Sequence, residues 1–115
     1  MDRAERPSQL RGEKMKNLYN KGGRDDNEKE IREYLDVRNI RYIQLRPGDG
    51  ADLIIGINPM EYWEIKNPVQ PPSKRKLTDD ERELLAYCTA THIPYVVIET
   101  VEDAARRIDK FFERL

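Results

Sequence analysis

The sequence predicts an α/β sandwich: a mixed central sheet flanked by helices. Three observations predict it. Residues 51–57 and 94–99 are almost wholly apolar short segments, as strands covered on both faces are. Residues 51–57 are joined to the next strand-like segment through Asn58-Pro59, a connection short enough to imply an antiparallel hairpin. A helical segment separates the third strand from the fourth, and a strand–helix–strand crossover favours parallel pairing. The order is helix, three strands, helix, strand, helix, within one domain-sized chain of 115 residues.

Each element has its own signal. The first helix starts near Asp26 or Asn27, either able to cap it, and runs to about Arg38. Its apolar face is Ile31, Tyr34 and Leu35. Glu28, three positions before Ile31, lies on that face, and the helix dipole favours an acid in the first turn. Residues 41–46 alternate as a strand, with Tyr42 and Ile43 as apolar content, and Arg46-Pro47-Gly48-Asp49-Gly50 ends them in a turn-rich loop. Residues 60–67 return as the third strand. Pro68, Pro71 and Pro72 then hold the chain out of regular structure. Thr78 and Glu81 form a capping box for a helix through about Ala90, whose apolar face is Leu84, Leu85 and Cys88. Thr100 and Asp103 cap the last helix, which buries Ala104, Ile108, Phe111, Phe112 and Leu115. Trp63 and Cys88 read as core, and His92 as structural.

Composition narrows the class. No apolar run approaches the ~20 residues that span a bilayer, and the N-terminus has no signal-peptide core. A single cysteine excludes an internal disulfide and a cysteine-based zinc cage. The expectation is a soluble, cytoplasmic protein. The net charge of −1 hides an asymmetry: residues 1–24 carry seven basic and three acidic side chains, a net +4, against −5 for residues 25–115. A basic arm (1–24) on an acidic body (25–115) suits phosphate contact at one surface and a divalent metal at another. Within the arm, Met15, Leu18 and Tyr19 have the spacing of one helical turn.

The third strand carries the chemistry. Side chains alternate along it, so Tyr62, Glu64 and Lys66 share one face, with Glu64 and Lys66 roughly 6.5–7 Å apart along the chain, and Glu61, Trp63 and Ile65 share the other. In a hairpin turning at Asn58-Pro59, Asp52 comes opposite residues 64–66. Two carboxylates and a lysine then meet at one end of the sheet, and Glu28 adds a third carboxylate. Carboxylates are hard ligands for Mg²⁺ or Mn²⁺, and a lysine beside them stabilises charge building on a phosphate. Asp49 is the rival to Asp52. It sits in the Pro-Gly turn, whereas Asp52 abuts the apolar strand. Lys74-Arg75-Lys76, on a proline-stiffened loop just after this strand, is placed to grip backbone phosphates of DNA.

Asp52 followed by Glu64-Ile65-Lys66 resembles the D…(D/E)XK signature of the PD-(D/E)XK nuclease superfamily. The flanking residues are similar to its VRR-NUC branch, especially the small stand-alone phage and bacterial members. The likeness covers residues 24–104: Arg24-Asp25-Asp26-Asn27-Glu28, Gly50-Ala51-Asp52-Leu53, Glu64-Ile65-Lys66, and the run from Pro71 to Thr78. It implies a restriction-endonuclease-like αβββαβ core. It also implies a Mg²⁺- or Mn²⁺-dependent endonuclease acting on branched DNA, four-way junction or flap, as a homodimer in a phage or bacterial host cytoplasm. Asp52, Glu64 and Lys66 would be catalytic; Glu28, Asp52, Glu64 and the Ile65 carbonyl would hold the metal. Two positions depart from the pattern: Ala51 replaces the usual proline, and Glu81 stands where a glutamine is expected. The alternative is a non-catalytic nucleic-acid-binding or partner subunit with the same fold.

Overall fold

The computed structural model describes residues 26–115, so the basic arm and its Met15–Leu18–Tyr19 turn lie outside the described residues. The elements follow as α1 (Asp26–Val37), β1 (Tyr42–Gln44), β2 (Leu53–Ile55), β3 (Glu61–Ile65), a 3₁₀ turn (Pro72–Lys74), α2 (Asp79–Thr91), β4 (Tyr95–Ile98) and α3 (Val101–Glu113). The strands form one mixed sheet in the order β1-β2-β3-β4. β1, β2 and β3 pair antiparallel in a meander, with Ile43 opposite Ile54 and Ile54 opposite Tyr62. β3 and β4 pair parallel across the α2 crossover, with Glu64 opposite Val97. The expected α/β fold with a mixed sheet is what forms, although the strands are shorter than the apolar runs that predict them.

Two helices cover one face of the sheet. Ile31 and Leu35 from α1 and Ala104 and Ile108 from α3 join Leu53, Ile55, Trp63, Ile65 and Ile98 in one buried core. α2 lies on the opposite face, where it covers Glu64 and Lys66. Both α2 and α3 begin with a complete capping box, Thr78 with Glu81 and Thr100 with Asp103. These satisfy N–H groups that a helix start otherwise leaves open. Among the described residues, no helix is long and apolar enough to cross a membrane.

Several expectations need correction. One helix, about 10 Å across, cannot cover four strands spaced about 4.8 Å apart. Residues on the outer strands of the α2 face therefore stay open: Ile43 is 61% exposed and Val97 44%. The apolar run of β2 is thus buried fully on one face only, and β4 buries Ile98 while leaving Val96 partly open. Phe112 and Leu115 are also exposed rather than core; Phe112 instead lies edge-on to Phe111 and under the Arg38 guanidinium, 5.3 Å from the ring centre. Asn27 does not cap α1. Its side-chain amide donates to the carbonyls of Lys66 (2.9 Å) and Glu99 (2.8 Å), bridging the segments that follow β3 and β4.

Candidate functional site

Asp52 is delivered by the turn before β2. Its backbone is fixed on both sides, since its N–H donates to the Trp63 carbonyl (2.9 Å) and its carbonyl accepts from Leu45 (2.8 Å). The turn passes directly beneath α2 at Gly50, whose φ of +96° suits glycine. A Cβ there would sit 2.8 Å from the Leu84 Cβ and 3.1 Å from the Asp80 carbonyl. The Tyr95 hydroxyl donates to the Gly50 carbonyl at 2.6 Å and so pins the turn to β4. Held this way, the Asp52 carboxylate accepts the Ile65 N–H at 2.7 Å. In extended chain the N–H and C=O of one residue share an edge, so the Ile65 carbonyl faces the Asp52 side as well.

Glu64 and Lys66 are buried, Glu64 to 4% exposure, although both carry charge-bearing groups. Buried charges need partners, and α2 provides one. The Lys66 ammonium lies 3.2 Å from Glu64 Oε2 and donates to Glu81 Oε1 at 2.9 Å. The same Glu81 oxygen accepts the Thr78 N–H at 2.8 Å. Asp52, Glu64, Lys66 and Glu81 line a cavity of about 500 Å³, with Glu28 on one wall and Arg46 and Lys74 among the remaining lining residues.

The electrostatics follow from this crowding. Burial first, then the negative charges of Asp52 and Glu81, push the Glu64 carboxyl up to about 9, against the pull of Lys66. Burial works against the Lys66 ammonium, but the hydrogen bond to Glu81 and the charge of Glu64 outweigh it and hold Lys66 above its ordinary value. For Glu81, burial is likewise outweighed, by hydrogen bonds from Lys66 and the Thr78 N–H, and its carboxyl is lowered. Tyr95, desolvated and near Glu64, Glu81 and Asp52, is pushed well above the usual phenol range.

No family model, curated protein or solved structure matches the chain.

The predicted site residues are partly brought together. Asp52, Glu64, Ile65 and Lys66 meet at one end of the β2–β3 pair. Glu28 is buried and lines the same cavity, but its Oε2 accepts from Gln44 (3.2 Å) and lies 3.6 Å from the Arg32 Nε. Among the described residues, no group of three or more His, Cys, Asp or Glu side chains is placed to hold one metal ion, so Glu28, Asp52 and Glu64 do not form a three-carboxylate cage. What is present is a pair of carboxyl groups, Asp52 and Glu64, beside the Ile65 backbone carbonyl. That donor set fits Mg²⁺, which keeps several waters and takes only one or two protein carboxylates. Asp49 caps its own turn by accepting the Arg46 N–H at 2.8 Å and does not line the cavity. Of Lys74, Arg75 and Lys76, only Lys74 lines it. Arg75 bonds the Gln70 carbonyl and Glu99 instead.

Sequence reasoning missed three participants. Glu81 was legible as a helix cap but not as the partner of Lys66. Arg46 reads as the end of a strand, and only the fold brings it to the cavity. Asn27 reads as a cap, and its cross-strand role has no local signature.

Proposed function

We propose that the chain is a divalent-metal-dependent endonuclease with a restriction-endonuclease-like core, similar to the VRR-NUC branch of the PD-(D/E)XK superfamily. It hydrolyses phosphodiester bonds in branched DNA as a homodimer. One observation carries the reading: a buried lysine and two carboxylates, Lys66, Glu64 and Asp52, converge in a cavity at one end of a β-hairpin. Gathering them is costly, and a fold that needed only stability would fill the space with apolar side chains. The αβββαβα element order supports the same reading.

Asp52, Glu64 and the Ile65 carbonyl would hold the cation. When bound, it polarises a phosphate oxygen and lowers the pKa of an attacking water. Lys66 donates toward the phosphate and stabilises its developing negative charge. Arg46 and Lys74 attract the neighbouring phosphates of the strand. Tyr95, through Gly50, keeps the Asp52 turn in place.

The test is cleavage of labelled four-way junction, flap, fork, duplex and single-stranded DNAs with Mg²⁺, Mn²⁺ or EDTA, beside Lys66→Ala. Metal-dependent cutting of branched DNA, lost in the variant by about 10²–10³-fold as for removal of one transition-state donor, is the expected outcome. Light scattering should give twice the 13.6 kDa chain mass. Branched-DNA binding without cutting, unchanged in the variant, would replace the reading with that of a non-catalytic binding subunit.

A further inference from the structure

We propose that Glu81 is the positioning residue of Lys66, an inference that rests on the endonuclease reading above. A lysine side chain has four rotatable bonds, and its ammonium has three N–H donors and no directional preference of its own. Fixing it over a phosphate requires acceptors that are themselves fixed. Glu64 Oε2, at 3.2 Å, is one. However, Glu64 also belongs to the cation site, so its oxygens are shared. Glu81 has no such second duty, and its contact with Lys66 is the shorter, 2.9 Å.

Glu81 is set before Lys66 reaches it. Its N–H donates to Thr78 Oγ1 at 3.3 Å and its Oε1 accepts the Thr78 N–H at 2.8 Å. The Thr78 backbone N–H is what holds the carboxylate at the start of α2, whereas the Thr78 hydroxyl bonds only the Glu81 backbone. One oxygen thus serves both the helix cap and the lysine. With Glu64 and Glu81 taking two N–H groups of Lys66, the third is left for a phosphate oxygen entering the cavity. The first turn of α2 therefore sets the height of the ammonium above the Asp52–Glu64 pair.

Glu81→Ala removes the side-chain half of the capping box together with the lysine contact, while the backbone N–H of residue 81 still donates to Thr78 Oγ1. Thr78→Ala weakens the same cap, by removing the acceptor of the Glu81 N–H, but leaves Glu81 against Lys66. Glu81→Gln keeps an acceptor at both places without the charge. Steady-state cleavage of a four-way junction with Mg²⁺ should show kcat falling about 10- to 100-fold in Glu81→Ala, as misplacing a reacting group by about 1 Å does, with KM little changed. Thr78→Ala should stay close to the parent. Glu81→Gln should fall by less than about 10-fold, because a neutral acceptor is weaker but correctly placed. In ¹H–¹⁵N spectra of the metal-free, DNA-free protein, the Lys66 ammonium signal should persist in Thr78→Ala and disappear in Glu81→Ala. Equal losses in Thr78→Ala and Glu81→Ala would reduce Glu81 to a helix cap and overturn the proposal. A parent protein that does not cut would sink the endonuclease reading, whereas an unchanged ammonium signal in Glu81→Ala would sink the positioning role whatever the parent cuts.

Discussion

Burial first, and then the negative charges of Asp52 and Glu81, favour the protonated form of Glu64 in the free protein. Its carboxyl titrates near 9 in the fold against an ordinary 4.5. Between those values the folded chain binds a proton that the unfolded chain has released, so stability falls as pH rises through the window. Glu81 has the opposite sign: its lowered carboxyl adds stability above its ordinary range and loses it in acid. Metal-free protein should therefore melt at progressively lower temperature from pH 5 to pH 9. Glu64→Gln, which cannot ionise, should flatten that slope and melt above the parent at pH 8. A cation that needs the ionised carboxylate must displace the proton, so Mg²⁺ should raise the melting temperature more at pH 9 than at pH 6. Equal slopes in parent and Glu64→Gln would mean that Glu64 is already ionised. At this scale the sequence shows which residues share a strand face, since alternation is local. It does not show Glu81 beside Lys66, because that contact depends on how α2 crosses the sheet.

Between elements, α3 is fastened to β3 by one polar contact inside the core. Glu61 is buried, accepts the Trp63 indole N–H at 2.9 Å and takes a forked pair of bonds from Arg107, at 2.8 and 2.9 Å. Alternation places Glu61 on the Trp63 face but not inside the core; its cation comes from 46 residues away, and no local pattern reveals it. The capping boxes lie at the other extreme, with sequence and structure agreeing to the residue, because a cap is made within four residues. Strand lengths fall between these cases. Hydrophobic runs mark where β2 and β4 lie but not how much of each a single crossing helix covers. Arg107→Ala should cost about 3 kcal/mol in urea unfolding, the low end for leaving a buried charge unpaired, since the Arg107 side chain keeps 30% of its surface open. Pairing it with Glu61→Gln should recover part of that loss. Recovery would assign the cost to the stranded carboxylate rather than to lost packing of α3.

For the molecule as a whole, charge poses a problem that the site alone does not solve. Residues 25–115 carry a net −5, and the cavity itself is acidic, so a DNA backbone approaching this body meets repulsion along most of its path. Arg46 and Lys74 offset that only at the cavity. Net positive charge is found in residues 1–24, at +4. If these residues supply the phosphate contacts, each cation they place on DNA releases a counterion, and the logarithm of the binding constant falls with the logarithm of salt by about 0.9 per contact. Removing residues 1–24 should then weaken junction binding in low salt and make the salt slope shallower by about 4, one unit per net charge. The single-turnover rate at saturating DNA should be unchanged, because Asp52, Glu64 and Lys66 stay in place. Binding measured by fluorescence anisotropy between 50 and 200 mM salt, a range in which such contacts are strongly screened, decides the matter. An unchanged slope would move DNA contact onto the folded body, where Arg46, Lys66 and Lys74 line the cavity.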